Sequence, residues 1–191
     1  MKYVSIDIET TGLNPHIHDI VEFGAVIDDL ANPQPIEKLP TFQAILVQDH
    51  YRVTPYCMTL HQRLWSEIQE RDENDHRFMA IDDLPTAFYN FLSKNGYPYN
   101  EKKEAYDLTV AGKNFASFDL LFLKEQCFWH GINFKHRTLD PAVLYLDPKI
   151  DTELPGMGLC LKRAGINEEV THGAVPDALQ VIKLIRHHFC R

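Results

Sequence analysis

The sequence predicts one mixed α/β domain over residues 1–191, in which a five-stranded sheet (three antiparallel strands, then parallel ones) carries helices on both faces. Three observations predict it. The chain has 191 residues, 45% of them hydrophobic, which suits one domain with a real core. Three strand-like stretches fall within the first 47 residues, and the turn-rich segment DDLANPQP separates the second from the third. After them, helical and strand-like periods alternate to the end of the chain.

Taken in order, residues 2–8 alternate around Ile6 and Ile8 and read as the first strand. DIVEFGAVID (19–28) is the second and FQAILV (42–47) the third, with consecutive antiparallel pairing expected across short turns. From 59 to 71 the period turns helical, placing Leu60, Leu64, Trp65 and Ile68 on one face. Asp82 or Asp83 is expected to cap a helix with Pro85 in its first turn, ending near Asn95 before Gly96. AYDLTVAG (105–112) is the fourth strand. SFDLLFLKEQCFWHGI (117–132) reads as one apolar helix that stops near Gly131. A short fifth strand is expected over 134–139, then helices near 140–146, 157–164 and 175–189.

Composition excludes several classes. No apolar run approaches the ~18–20 residues that span a bilayer, so no membrane association is expected. The start MKYVSIDIE lacks the apolar core of a signal peptide. Cys57, Cys127, Cys160 and Cys190 lie far apart and form no C-x-x-C pair, so they read as reduced thiols in a cytoplasmic protein. The net charge of −8 is uneven: residues 1–100 carry 7 Lys and Arg against 15 Asp and Glu, whereas residues 101–191 carry 12 of each. A chain so acidic lacks the broad basic surface of a duplex binder, and any nucleic-acid contact should be local and short.

The chemistry begins with YVSIDIETTGL (3–13). Side chains alternate on a strand, so Asp7 and Glu9 project to one face and Ile6 and Ile8 to the other. Two carboxylates side by side repel unless a cation lies between them, and hard oxygen ligands without Cys or His favour Mg²⁺ or Mn²⁺. On this pair alone, an ordinary solvent-facing strand edge is the simpler explanation. A second D-x-E, at Asp151–Glu153, has no strand around it and signifies nothing. Two further stretches change the balance: AGKNFASFDLLFL puts Asp119 at the first turn of an apolar helix, and THGAVPDALQVIKLI puts His172 five residues before Asp177, which opens the last helix.

In this order, DIETTGL, NFASFD and HGAVPD resemble the motifs of the DEDDh exonucleases, relatives of the proofreading subunit of bacterial DNA polymerase III, from residue 4 to about 185. The resemblance implies a ribonuclease H-like fold, which has the predicted element order. It implies that Asp7, Glu9, Asp119 and Asp177 hold two divalent ions, Mg²⁺ or Mn²⁺, and that His172 is the general base. The activity implied is 3′→5′ removal of nucleoside 5′-monophosphates from DNA or RNA ends, with a DNA polymerase or replication protein as a further partner. Charge agrees: four carboxylates balance two dications and repel one another without them.

Softer inferences from the resemblance place Leu13 against the terminal base and the backbone of Thr10, Thr11 and Gly12 near the terminal 3′-hydroxyl. Asn114 and Phe118 fit the motif around Asp119 as substrate contacts. Lys113 stands where many relatives have histidine, and residues 49–80 replace a short I-H-G-[IL]-[TS] signal with MTLHQRLWSEI and an acidic excursion. The rival reading is a catalytically silent module that kept the fold to bind a polymerase or nucleic acid. Such a module is free to lose any of the five residues, and all five are present.

Overall fold

A computed structural model describes residues 1–72 and 74–190, so that Glu73, in the acidic excursion, and Arg191 lie outside the described residues. Three long strands form first: β1 (Lys2–Thr10), β2 (Ile20–Asp29) and β3 (Thr41–Leu46). They pair antiparallel in a meander, with Ile6 opposite Ala25 and Glu9 opposite Glu22. Helices α1 (Pro55–Leu60) and α2 (Gln62–Gln69) follow, then strand β4 (Phe78–Met79), helix α3 (Leu84–Lys94) and strands β5 (Tyr99–Asn100), β6 (Ala105–Leu108) and β7 (Val110–Ala111). Helix α4 (Asp119–Gln126), strand β8 (Ile132–Phe134) and helices α5 (Pro141–Leu144), α6 (Met157–Ala164) and α7 (Ala174–Phe189) complete the chain.

The five-stranded sheet has the order β4-β3-β2-β1-β7, with β4 and β7 parallel to their neighbours. The expected fourth strand is divided at Thr109: β7 pairs with β1, while β6 pairs with β5 and, in parallel, with β8. The fifth strand expected over 134–139 does not form there: β8 ends at Phe134 and joins β6 in a second ladder of three, Leu139 makes only an isolated bridge to Ala111, and β4 takes the outer place in the main sheet.

Alternation on β1 and β2 assigns the two layers. Ile6, Ile8, Phe23 and Ala25 pack with Leu84, Phe88 and Leu92 of α3 and Leu120, Phe122 and Leu123 of α4. On the opposite face Tyr3 and Val26 meet Ala178, Val181, Ile182 and Ile185 of α7. Each such fully buried aliphatic side chain stabilises the fold by about 1.5–3 kcal/mol. Leu64 and Ile68 of α2 pack on Val21 and Ile45, with Trp65 partly buried beside them. Leu60, expected on that same face, instead lines a groove, because the helical segment breaks at His61 (φ −101°, ψ 34°).

Two other helix boundaries depart from expectation. Asp83 makes no side-chain cap. A 3₁₀ turn at Ile81–Asp83 runs directly into α3, and Asp83 has helical backbone angles where a capping side chain needs an extended one. Helix α4 ends at Gln126, well before Gly131, although the sequence stays apolar. Trp129 folds back so that its Nε1–H donates to the Leu123 carbonyl (2.7 Å), and its ring packs on Phe23, Phe88 and Phe134. The apolar run after Gln126 serves the core without continuing the helix.

Helix α7 is tied to the sheet by ions as well as by apolar contact. The Asp28 side chain is fully buried; its Oδ2 accepts from Tyr3 Oη (2.7 Å) and from Arg186 Nε (3.0 Å), and Arg186 Nη2 reaches Oδ1. Arg186→Ala leaves that carboxylate buried without its cation and is expected to cost about 3–5 kcal/mol of stability, read as a lower urea midpoint. A loss below about 1 kcal/mol would mean that water replaces the guanidinium.

Candidate active site

Asp7 and Glu9 leave β1 on the side facing the start of α7, as the alternation requires, and Ser5 two residues earlier donates through Oγ to the Ala178 carbonyl (2.8 Å). Asp177, in the first turn of α7, meets them: one oxygen from each of Asp7, Glu9 and Asp177 lies within 4.8 Å of the others. Asp119 arrives from α4 in the opposite layer. It can do so because β7 stops at Ala111, opposite Ser5, and leaves that edge of β1 unpaired beyond it, while β2 stays paired on the other edge. The Ile8 N–H exposed there donates to Asp119 Oδ1 (3.1 Å). At this gap a Cβ on Gly112 would stand 2.7 Å from the Ile6 carbonyl oxygen, so only glycine lets the chain turn away so close to β1.

A cleft of about 440 Å³ is lined by Asp7, Glu9, Asp119, Asp177 and His172, with Lys113, Asn114 and Phe118 at its rim. His172 is exposed and holds a left-handed backbone (φ 50°), a conformation in which a non-glycine residue is strained. Asn114 (φ 58°) is also left-handed, which asparagine tolerates, and its N–H donates to Asp140 Oδ2 (2.9 Å).

Charge is crowded in this cleft. Burial first, then Asp119, Glu9, Asp177 and Glu22, hold the Asp7 carboxyl well above the usual range. Burial, then Asp177 and Glu22, push Glu9 up to about 8, with Arg63 acting in the opposite sense. Burial raises Asp119 to about 7 against the hydrogen bonds from its own N–H and that of Ile8. Asp177 is raised by burial, while His172 and Thr171 pull it down. The donor set is thus all hard oxygen, convergent and short of positive charge, which fits Mg²⁺ or Mn²⁺ and not a soft metal.

The sign of the pH dependence follows. Glu9 and Asp119 have folded values above their ordinary 4.5 and 3.8. Their contribution to stability is complete below about pH 4 and is lost as the pH rises through about 7–8. The protein in EDTA is therefore expected to lose thermal stability from about pH 5 to about pH 8. Mn²⁺ at ~100 times its Kd should restore about 2.7 kcal/mol, or about 5–10 °C in Tm, at the upper pH. Equal cation stabilisation at both pH values would contradict this reading of the cluster.

A second groove, about 450 Å³ and mainly apolar, adjoins the first at Ile8, Glu9 and Phe118. Thr10, Gly12, Leu13, Tyr56, Leu60 and His61 line it. Leu13 is 81% exposed, which no core role explains. The ring of His18 covers Gly12 so closely that a Cβ there would stand 2.4 Å from it. The Phe118 ring packs on Phe122 at a tilt of 51° and lies between the two grooves, lining both. Thr10, Gly12, Leu13, Asn114 and Phe118 thus border open space as expected, but Thr11 does not. Thr11 is fully buried, with Oγ1 donating to the Arg52 carbonyl (2.6 Å) and accepting the Asp19 N–H (2.8 Å), so its side chain ties the β1–β2 loop to the segment before α1.

His61 is a site residue that the sequence did not single out. It is 4% exposed, and Nε2 lies 3.5 Å from Glu9 Oε2. Burial and the nearby His172 lower its pKa, so the neutral ring suits a donor to Glu9. The only signal was the histidine in MTLHQRLWSEI, inside a segment that otherwise departs from the expected pattern.

The sequence profile of the exonuclease family RNase_T matches residues 4–185. A DNA polymerase III of PolC type from Clostridium perfringens is 26% identical over 190 residues, which cover 98% of this chain and 11% of that protein, so the chain spans about a tenth of its length. Among solved structures, cell-death related nuclease 4 (CRN-4) superposes with a TM-score of 0.62 at 15% identity, covering 97% of this chain and 62% of that one. Pop2p of S. pombe, in a form with Mg²⁺ and Mn²⁺ bound, superposes with a TM-score of 0.59 at 17% identity over 96% of this chain and 81% of that one. At such identities the structures establish a shared ribonuclease H-like fold.

Proposed function

The chain belongs to the RNase_T exonuclease family, and from that premise we propose that its 191 residues form one DEDDh domain that removes nucleoside 5′-monophosphates from the 3′ ends of single-stranded or frayed DNA or RNA. The observation that carries this is the convergence of Asp7, Glu9 and Asp177 in a cleft that Asp119 and His172 complete. The four acids would hold two divalent ions, Mg²⁺ or Mn²⁺, which when bound supply Lewis-acid polarisation of the phosphodiester.

The chain's own residues account for the remaining roles. The imidazole of His172 accepts a proton from the attacking water. The new P–O bond forms as the bond to the 3′ oxygen of the preceding nucleotide breaks, which leaves a 5′-monophosphate on the departing nucleoside. Leu13, Tyr56 and Phe118 provide an apolar groove beside the acids on which the terminal base can stack. Similarity to a segment of a PolC-type polymerase supports a DNA polymerase as partner.

End-labelled single-stranded and blunt duplex oligonucleotides, incubated with Mn²⁺ or EDTA at several salt concentrations, test the proposal. Filling the site with two dications still leaves the protein at about −4 by formal charge. Two basic pairs in the sequence, Lys102–Lys103 and Lys162–Arg163, could grip a duplex, but one member of each is engaged: Lys103 pairs with Asp107 (3.0 Å) and Arg163 with Asp151. Faster cleavage of single strands is expected, with a salt slope equal to only a few neutralised phosphates. Full activity in EDTA, or 3′-monophosphate products, would refute the proposal. A faster duplex rate with a steep slope would refute the substrate preference alone.

A further inference from the structure

Glu22 is a fifth carboxylate beside the four, and the mechanism above gives it nothing to do. It sits on β2 opposite Glu9, and its side chain is fully buried. A buried carboxylate is costly unless donors and a cation surround it, and Glu22 has both. Oε1 accepts from Gln43 Nε2 (2.5 Å), and Oε2 accepts the backbone N–H of Ala174 (3.1 Å) and lies 3.5 Å from Arg63 Nη2. Ala174 is the first residue of α7, two residues after His172.

The backbone at 173–174 is enclosed on its other sides too. A Cβ on Gly173 would stand 3.2 Å from Arg63 Nη2, so the guanidinium lies directly on that glycine. A Cβ on Gly24 would stand 2.4 Å from the Ala174 carbonyl carbon, so α7 begins in direct contact with the β2 backbone. Arg63 is also held at its other end, where Nη1 bonds Glu67, and Glu67 in turn pairs with Arg77 (3.1 Å). By contrast, residues 166–173 form neither helix nor strand, and His172 is exposed.

We propose that Glu22 and Arg63 form a clamp on Gly173–Ala174 that positions the imidazole of His172 over the acidic cleft. The clamp rests on the exonuclease reading, since it assigns His172 the proton-accepting role. Arg63 is a positioning residue and does not contact the reacting atoms. Proton transfer requires heavy atoms within about 2.6–3.2 Å, and a misplacement of ~1 Å can cost ~10²-fold in rate. The left-handed backbone at His172 gives the ring a defined direction only while the residues that follow are fixed.

The test uses Arg63→Ala, Arg63→Lys and Glu22→Gln in the full chain. The Arg63 side chain is 53% exposed, so its removal opens no cavity, and Glu22 keeps its Gln43 and Ala174 donors. Arg63→Ala is expected to lower kcat by about 10–10²-fold with KM unchanged at saturating Mn²⁺, and Arg63→Lys to recover part of the loss. In a His172→Ala background the same Arg63→Ala change should have no further effect, because both act through one imidazole. Independently of activity, the amides of residues 173–177 should exchange with solvent faster in Arg63→Ala and Glu22→Gln than in the unaltered protein. Unchanged exchange overturns the clamp. So does an Arg63 effect that adds fully to that of His172→Ala, or one that appears in KM alone and so places Arg63 on the substrate. An unaltered protein that degrades no oligonucleotide refutes the exonuclease reading instead, and the exchange measurement then decides whether the clamp exists.

Discussion

Asp7→Asn is expected to lower the exonuclease rate by about 10³-fold while making the cation-free protein more stable at pH 7–8. The two effects have one origin. Asp7 lies between Asp119, Glu9 and Asp177, close enough that each raises its pKa, and burial adds to them. In the absence of cations its charge is a liability, and an uncharged isostere relieves the repulsion. With Mg²⁺ or Mn²⁺ present the same charge becomes the attraction that holds the ions, whose stabilisation of transition-state charge is worth several kcal/mol, or about 10³-fold. Thermal melts in EDTA and in Mn²⁺, set beside initial rates, give both halves. The Asn variant should melt higher than the parent in EDTA and gain less from Mn²⁺. A variant that melts lower in EDTA, or gains as much from Mn²⁺ as the parent, would remove Asp7 from the ligand set.

His172→Ala should behave in the opposite way with respect to cations. The imidazole lines the cleft but is not one of the three convergent acid ligands. Its loss removes a general base, worth about 10²–10⁴-fold in turnover, and leaves Mn²⁺ binding nearly intact. Calorimetric titration with Mn²⁺ alongside single-turnover rates separates the roles. Equal loss of cation affinity in His172→Ala and Asp7→Asn would make His172 a ligand.

These outcomes depend on residues of unequal legibility in the sequence. Period-two alternation on β1 set Asp7 and Glu9 on one face and Ile6 and Ile8 in the opposite layer, and the structure has them so. The motif around Asp119 and the spacing from His172 to Asp177 located the rest of the cleft, and α6 spans the 157–164 expected of it. Such features are local: a strand or helix period, a cap or a turn residue is read from a few neighbours.

Contacts between separate elements were not legible in this way. The sheet gap that lets Asp119 reach Ile8 exists because β7 stops at Ala111, and no feature of VAGKNF specifies where a parallel pairing ends. Helix α4 yields at Gln126 because Trp129 gains more by packing on Phe23 and Phe88 than by extending the helix, a choice made by rings from other elements. That the Thr11 hydroxyl is held by Asp19 and Arg52, and faces no groove, could not be read from TTGL either. His61, Glu22 and Arg63 each read as an ordinary polar residue on its own element, and they reach Glu9 and the start of α7 only because α2 and α7 cover the same face of the sheet. The sequence by itself determined which residues could do chemistry and which way they point. Only tertiary packing decided which of them share a cleft and what holds them there, because that depends on the mutual burial of segments far apart in the chain.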